Sequence, residues 1–336
     1  MLNSPFVTII LPCRNEEKFI GPCLDSIIAN DYPKNNLEIL VIDGMSDDKT
    51  RKILKDYSQK YNFIKIIDNP KKFIPLALNI GVKNAKGEFI VRMDAHSVYN
   101  KNYISKCIKY LKEYEVDNVG GIWKIMPSEK TLINKAIVLA SSSFFGAGNA
   151  HYRTGYSKGL KFVDTVFGGC YKKDVFKKIG LYNENLVRSE DMEFNLRLKK
   201  AGGKILLAPD IIAYYYPKST LKEFFKHNFL DGIWALYPLK FKVPLFKLRH
   251  LLPVFFILTL LVSGLVSIFF EPFFFAFLFI LELYLITSLF FSISIAIREK
   301  NLGLFFILPL AFACRHFGYG LGSIFGFVKI LLPIKK

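Results

Sequence analysis

Three clusters in this chain carry residue types that do chemistry. Asp94-Ala95-His96 follows the apolar run Ile90-Val91-Arg92-Met93 and sets a carboxylate and an imidazole one residue apart. Residues i and i+2 of an extended segment share a face, so both side chains point the same way. Both can ligate Mn2+ or Mg2+, and a cation held by few protein groups completes its shell with substrate phosphates. The structural alternative is that Asp94 caps the next helix and His96 sits on the surface. Glu190-Asp191 divides in the same way. Either Ser189 caps a helix whose first-turn acids offset its dipole, or a carboxylate held by its neighbours serves as a general base for an acceptor hydroxyl. Asp43-Gly44 is a turn pair or a contact to a nucleobase or ribose.

These clusters need elements to position them. Val7-Thr8-Ile9-Ile10-Leu11 is a continuous apolar run that suits a strand buried on both faces, and it stops at Pro12-Cys13-Arg14-Asn15-Glu16-Glu17. Phe19, Ile20, Cys23, Leu24, Ile27 and Ile28 then recur at helical spacing. The unit repeats: strands at 38–42, 63–67 and 88–93 alternate with helices carrying Ile53, Leu54 and Tyr57, then Leu76, Leu78, Ile80 and Val82. This alternation predicts an α/β domain with a mainly parallel, doubly wound sheet. Ligands bind outside the carboxyl ends of such strands. Arg14-Asn15-Glu16, Asp43 and Asp94-Ala95-His96 all fall at those ends and are expected to line one crevice.

Further along, a helix is predicted near 104–114, a strand at 118–126 and a mobile loop over the site at 140–159. Gly168-Gly169 allows close backbone approach. Gly202-Gly203 closes the helix bearing Phe194, Leu198 and Ala201.

The formal charge of +18 fits nucleic acid, anionic lipid or a phosphorylated substrate. No Lys/Arg run, zinc pattern or RNA-binding signature accompanies it, so nucleic acid is not expected. Basic residues thicken at Lys218, Lys222, Lys226, Lys240, Lys242, Lys247 and Arg249, just before a hydrophobic region, which points to membrane lipids. Five cysteines without C-x-x-C spacing argue for a reducing compartment. The first residues lack an apolar core of signal-peptide length, so a cytoplasmic catalytic domain is expected.

The motifs resemble the family 2 glycosyltransferases, above all the membrane-attached bacterial and archaeal members that build surface glycans. The resemblance rests on Thr8 to Glu17, Val41 to Thr50, Arg92 to Ser97, and Glu190-Asp191-Met192-Glu193 with Arg197-Leu198, and it covers about 6–217. It implies a GT-A fold and inverting transfer from a nucleoside diphosphate sugar. Pro12, Asn15, Glu16 and Asp43 would line the nucleoside pocket, with Arg14, Arg92 and Ala95 also on the donor side. Asp94 and His96 would hold Mn2+ or Mg2+ on the diphosphate. Asp191 would be the base, assisted or oriented by Glu190. His96 departs from the usual Asp-X-Asp, although the peptide N-acetylgalactosaminyltransferases serve a metal with Asp-X-His. The Gln-X-X-Arg-Trp motif of processive synthases is missing near Trp234, so one sugar per encounter is expected. An inactive membrane scaffold is the alternative from another class. A nucleotidyltransferase is disfavoured, because no Gly-rich, Lys-containing loop follows the first strand.

The expected organisation is a catalytic domain over about 1–240 and a membrane region over 241–336. The second contains helices near 251–270 and 273–297 and a third span or a re-entrant pair within 302–332. Arg249 before the first helix and Arg298 and Lys300 after the second place both flanks in the cytoplasm, giving a multi-pass protein of the cell membrane. Arg315-His316 interrupts the third segment, which favours the re-entrant pair. Candidate acceptor contacts are Gly168, Gly169, Trp234, Arg315 and His316. The last two are candidates for a polyprenyl phosphate headgroup, or for snorkelling to the interface.

Overall fold

The computed structural model describes residues 4–148, 159–217, 219–243 and 248–332. The chain divides into two compact units, Met1–Lys124 with Gly155–Tyr215 and Ile125–Thr154 with Tyr216–Lys336.

The first unit is built on a nine-stranded sheet: β1 (Val7–Cys13), β2 (Leu37–Asp43), β3 (Ile64–Asp68), β4 (Phe89–Arg92), β5 (Ser97–Tyr99), β6 (Asn118–Ile125), β7 (Lys161–Phe162), β8 (Phe167–Lys172) and β9 (Ile205–Tyr215). The order is β3-β2-β1-β4-β8-β6-β9-β5, with β7 on β9. Helices α1 (Ile20–Ile28), α2 (Thr50–Lys60) and α3 (Ile74–Asn84) make the crossovers between the first four strands, all of which pair in parallel. Every residue of β2 is buried, as a strand covered on both faces requires. The parallel half ends at β4. Strand β8 pairs antiparallel to β4 and to β6, and β9 pairs antiparallel to β5 and β7, so the sheet is mixed.

Register decides where the chemistry lies. Cys13 stands opposite Asp43, Asp43 opposite Asp68, and Ile10 opposite Arg92. The loops leaving β1, β2, β3 and β4 therefore emerge on one edge of the sheet. Helix α4 (Tyr103–Glu113) packs on β8 and β9, and α7 (Asp174–Ile179) on β8 and on α8 (Glu190–Lys200).

In the second unit the stretch expected to be a mobile loop begins as helix: α5 (Leu132–Ser142) and α6 (Phe144–Ala147). Residues 149–158 of that stretch lie outside the described residues. Thr131 and Ser143 cap the two helices through their side-chain oxygens, and Ala136 and Ala140 are buried in an apolar cluster. Then come α9 (Leu221–Leu236), α10 (Leu248–Val266), α11 (Glu271–Arg298) and α12 (Gly303–Leu331). Helices α11 and α12 are long and apolar enough to cross a membrane, with mean hydropathies of 2.2 and 1.4. Helix α10 stops at Val266, short of the predicted 270.

A re-entrant pair would need a break at Arg315-His316, and α12 runs through that point as one helix. The expected cost of the two side chains is met by protein. Arg315 donates to the Gly146 carbonyl and lies 3.3 Å from Asn228 Oδ1. His316 is 3.1 Å from the Tyr284 hydroxyl and 3.0 Å from the Phe145 carbonyl. Gly318, Gly322 and Gly326 face the backbone of Phe225, Phe229 and Ile233, so α9 lies directly against α12 with no side chain between them.

Candidate active site

An open cleft at the carboxyl ends of β1 to β4 is lined by Pro12, Arg14, Glu16, Arg92, Asp94, Ala95 and His96, all of them anticipated from the sequence. Burial alternates strictly from Val91 to Val98, with Arg92, Asp94 and His96 on the less buried face. The i, i+2 geometry therefore holds, although the residues after Arg92 leave the strand. Helix α4 begins only at Tyr103, which removes the helix-cap reading of Asp94.

Each side chain is fixed by a neighbour. Arg92 Nη2 is 2.8 Å from Glu190 Oε1 and its Nε is 3.5 Å from Asp94 Oδ1. Its Nη1 has no hydrogen-bond partner among the described residues. The guanidinium is held well into its charged form: burial opposes the charge, and the carboxylates of Glu190, Asp94 and Asp191 outweigh burial. Glu190 is itself buried, and burial pushes its carboxyl up to about 7 while Arg92 pulls the other way. Asp191 is half-buried and accepts the Met192 N–H at 2.8 Å.

Ser189 does not act as the expected side-chain cap. Its backbone is left-handed, with φ of 63°, and its hydroxyl makes no cap bond. A non-glycine residue in that region carries backbone strain, which clusters at functional sites.

His96 Nδ1 lies 3.2 Å from Glu16 Oε1, and its ring meets Tyr215 edge-on at 5.2 Å. Two of the anticipated donor residues do not face the cleft. Asn15, with φ of 56°, clasps the second loop: its amide nitrogen donates to Asp47 Oδ1 at 2.8 Å and its oxygen accepts the Asp47 N–H at 3.1 Å. Asp43 is fully buried. It accepts from the Ser46 hydroxyl at 2.6 Å and from Arg51 Nη1 at 3.0 Å, and Arg51 also reaches Asp68 at 2.8 Å. Gly44 and Ile42 line the cleft beside it.

The other anticipated contacts lie elsewhere. Gly168, φ 67°, would bring a Cβ to 2.8 Å from the Arg92 carbonyl, and Gly169, φ 86°, one to 2.7 Å from the Tyr171 ring, so these glycines let β8 close on its neighbours. Trp234, Arg315 and His316 belong to the second unit, where Trp234 packs edge-on against Tyr237 at 5.3 Å.

Sequence reasoning missed Asn69, Lys72, Phe73 and Ile74, which complete the cleft wall. The signal was present, since these residues follow β3 and the rule for strand carboxyl ends covers them as well. It also missed Trp123, which stacks on Tyr215 at 4.3 Å and meets a tilted Phe167 ring at 4.0 Å.

The donor set is a carboxylate and an imidazole on one face with a second carboxylate on the imidazole, which are hard oxygen and nitrogen ligands suited to Mn2+ or Mg2+. No group of three His, Cys, Asp or Glu side chains converges as a self-sufficient cation site among the described residues.

Residues 8–180 match the family described as Glycosyl transferase family 2. The chain is 31% identical over 335 residues to the dolichyl N-acetyl-alpha-D-glucosaminyl phosphate 3-beta-D-2,3-diacetamido-2,3-dideoxy-beta-D-glucuronosyltransferase of Methanococcus voltae, covering 96% of this chain and 98% of the relative. It is 27% identical over 255 residues to the succinoglycan biosynthesis protein ExoA of Rhizobium meliloti (strain 1021), covering 71% and 76%. Its fold is similar to the mannosyltransferase PcManGT from Pyrobaculum calidifontis in complex with GDP-Man and Mn2+, with a TM-score of 0.59 at 17% identity over 99% of this chain and 89% of that one. GalNAc-T7 with UDP, GalNAc and Mn2+ gives 0.52 at 15% identity, over 71% and 51%. The chain is an inverting, nucleotide-sugar-dependent glycosyltransferase with a GT-A fold, and it belongs to glycosyl transferase family 2.

Proposed function

We propose that this chain moves one sugar per encounter from a nucleoside diphosphate sugar to a hydroxyl or phosphate of a polyprenyl-phosphate-linked or similar lipid-linked acceptor, at the cytoplasmic face of a membrane. The observation that carries the reading is the Arg92 guanidinium, paired with Glu190 and beside Asp94, in a cleft that also holds His96. Asp94 and His96 fit a divalent cation by donor chemistry and by sharing one face. When bound, Mn2+ or Mg2+ would supply Lewis-acid stabilisation of the leaving diphosphate.

This chain's own residues do the rest. The Arg92 guanidinium, which lines the cleft, adds positive charge where negative charge develops on the leaving group. Asp191 takes the proton from the acceptor hydroxyl as its oxygen bonds to the anomeric carbon on the face opposite the departing nucleoside diphosphate, which inverts that carbon, and Glu190 fixes the start of that helix through Arg92. Pro12, Arg14, Ala95 and the backbone at Gly44 form the nucleoside wall.

A lipid-linked acceptor is supported by the Methanococcus voltae relative, which is named for a dolichyl N-acetyl-alpha-D-glucosaminyl phosphate. It is supported as well by α11 and α12, which are long and apolar enough to anchor the enzyme among lipids. Arg298 and Lys300 at the end of α11 favour a cytoplasmic location for that end, and α10 to α12 make the protein multi-pass.

The test is a panel of UDP-, GDP- and dTDP-sugars with Mn2+ and a membrane lipid extract, following nucleoside diphosphate release. Release with one donor, dependent on lipid, is expected. Silence across the panel from folded protein would overturn the reading in favour of an inactive scaffold.

A further inference from the structure

We infer that Glu16 orients His96 for the divalent cation, accepting the imidazole proton at Nδ1 so that Nε2 carries the ligating lone pair. The inference rests on the reading of Asp94 and His96 as the protein's ligands to that cation. A neutral imidazole has one N–H donor and one acceptor nitrogen, and which is which depends on the partner. The partner at Nδ1 is a carboxylate, which only accepts. With Glu16 Oε1 at 3.2 Å, the proton belongs on Nδ1.

Glu16 is built to hold that position. Its backbone N–H donates to Thr50 Oγ1 at 2.8 Å, and its carbonyl accepts the N–H groups of Phe19 at 2.9 Å and Ile20 at 2.8 Å. The residue before it is clasped to Asp47 on both sides of its amide. The Glu16 main chain is therefore tied at one end to the start of α1 and at the other to the first residue of α2. On the other side of the imidazole, Tyr215 meets the ring edge-on and limits its rotation. Both carboxylate and ring are half-buried and line the same cleft as Asp94, where lower polarity strengthens the bond between them. An aspartate at position 96 would need no such partner, because either carboxylate oxygen can ligate. A histidine does, and partners of this kind change metal affinity by roughly 10- to 100-fold when removed.

The substitutions that test this separate orientation from charge. In Glu16→Gln the amide oxygen can still accept at Nδ1 while the charge is gone; in Glu16→Ala both are lost. Mn2+ binding to the full chain is followed by the loss of the free-ion electron paramagnetic resonance signal, with Mn2+ alone and with UDP or GDP added. Nucleotide binding in chelator is measured beside it. Glu16→Ala is expected to weaken Mn2+ about tenfold or more relative to Glu16→Gln, and the two are expected to coincide in a His96→Ala background. Equal affinities of the two Glu16 variants, with His96→Ala weakened, would overturn the orienting role and leave His96 as a ligand. Wild-type affinity in His96→Ala would overturn the ligand reading itself. A second measurement is independent of any Glu16 variant's folding: nitrogen-15 spectra of the metal-free wild type, with the His96 signal assigned by its loss in His96→Ala. A proton on Nδ1 is expected, and a proton on Nε2 overturns the inference.

Discussion

Arg92 and Glu190 form a buried ion pair at 2.8 Å that joins the strand delivering Asp94 to the first turn of the helix delivering Asp191. The pair thus links the residue assigned to the donor diphosphate with the residue assigned to the acceptor. Removing one member of such a pair leaves the other charge buried without a partner. Arg92→Met is expected to lower unfolding free energy by about 3–5 kcal/mol, read by urea denaturation. A variant as stable as the wild type would show that the pair contributes nothing net to the fold.

The same pair sets a pH dependence. Glu190 has its folded-state pKa raised from 4.5 to about 7 by burial, so the folded protein holds a proton that the unfolded chain releases in that window. The stabilisation from this group is complete below the unfolded value and is lost as pH rises through about 7. Turnover moves in the opposite direction, because the ionised form is the one that anchors Arg92. kcat/KM is expected to rise through a limb near 7, and Glu190→Gln to flatten both that limb and the slope of stability against pH. Urea melts and initial rates across the window supply the two curves.

Asp191 carries the proposed proton transfer, and its carboxylate accepts the neighbouring Met192 N–H. Asp191→Asn keeps the shape and an acceptor oxygen while removing the base. Nucleoside diphosphate release is expected to fall by about 100- to 10,000-fold, with thermal stability and nucleotide affinity close to wild type. Retained turnover would transfer the role to another group.

Much of the first unit was legible because its strands are continuous apolar runs ended by polar turns. Ile9 to Leu11, Ile39 to Ile42 and Ile90 to Val91 leave no other reading, and the loops after them fall at one edge by topology alone. Strand β9 was not legible. It contains Pro209 and Asp210, which break the pattern of a strand, and its burial alternates only beyond Ile211. The Arg92–Glu190 pair was also invisible, since nothing local in either segment announces a partner so distant in the chain. The choice between a third span and a re-entrant pair was not legible at Arg315-His316 for a related reason: the carbonyls and side chains that satisfy those residues come from α6, α9 and α11. Periodicity reports what one segment wants, and these features depend on what another supplies.

Gly168 tests whether close packing behind Arg92 matters for turnover. Its φ of 67° disfavours any side chain, and an added Cβ would stand 2.8 Å from the Arg92 carbonyl, backbone that cannot swing aside. Gly202 is the control, with φ of 81° and nothing within 4 Å of an added Cβ. Both alanine variants carry backbone strain of about 1–3 kcal/mol, but only Gly168→Ala also displaces the strand that aims Arg92 and Asp94. Gly202→Ala is expected to lose stability and keep kcat, whereas Gly168→Ala loses both, as measured by urea denaturation and nucleoside diphosphate release on the same preparations. Equal turnover in the two variants would show that the Arg92 strand tolerates displacement and that its placement does not limit the rate.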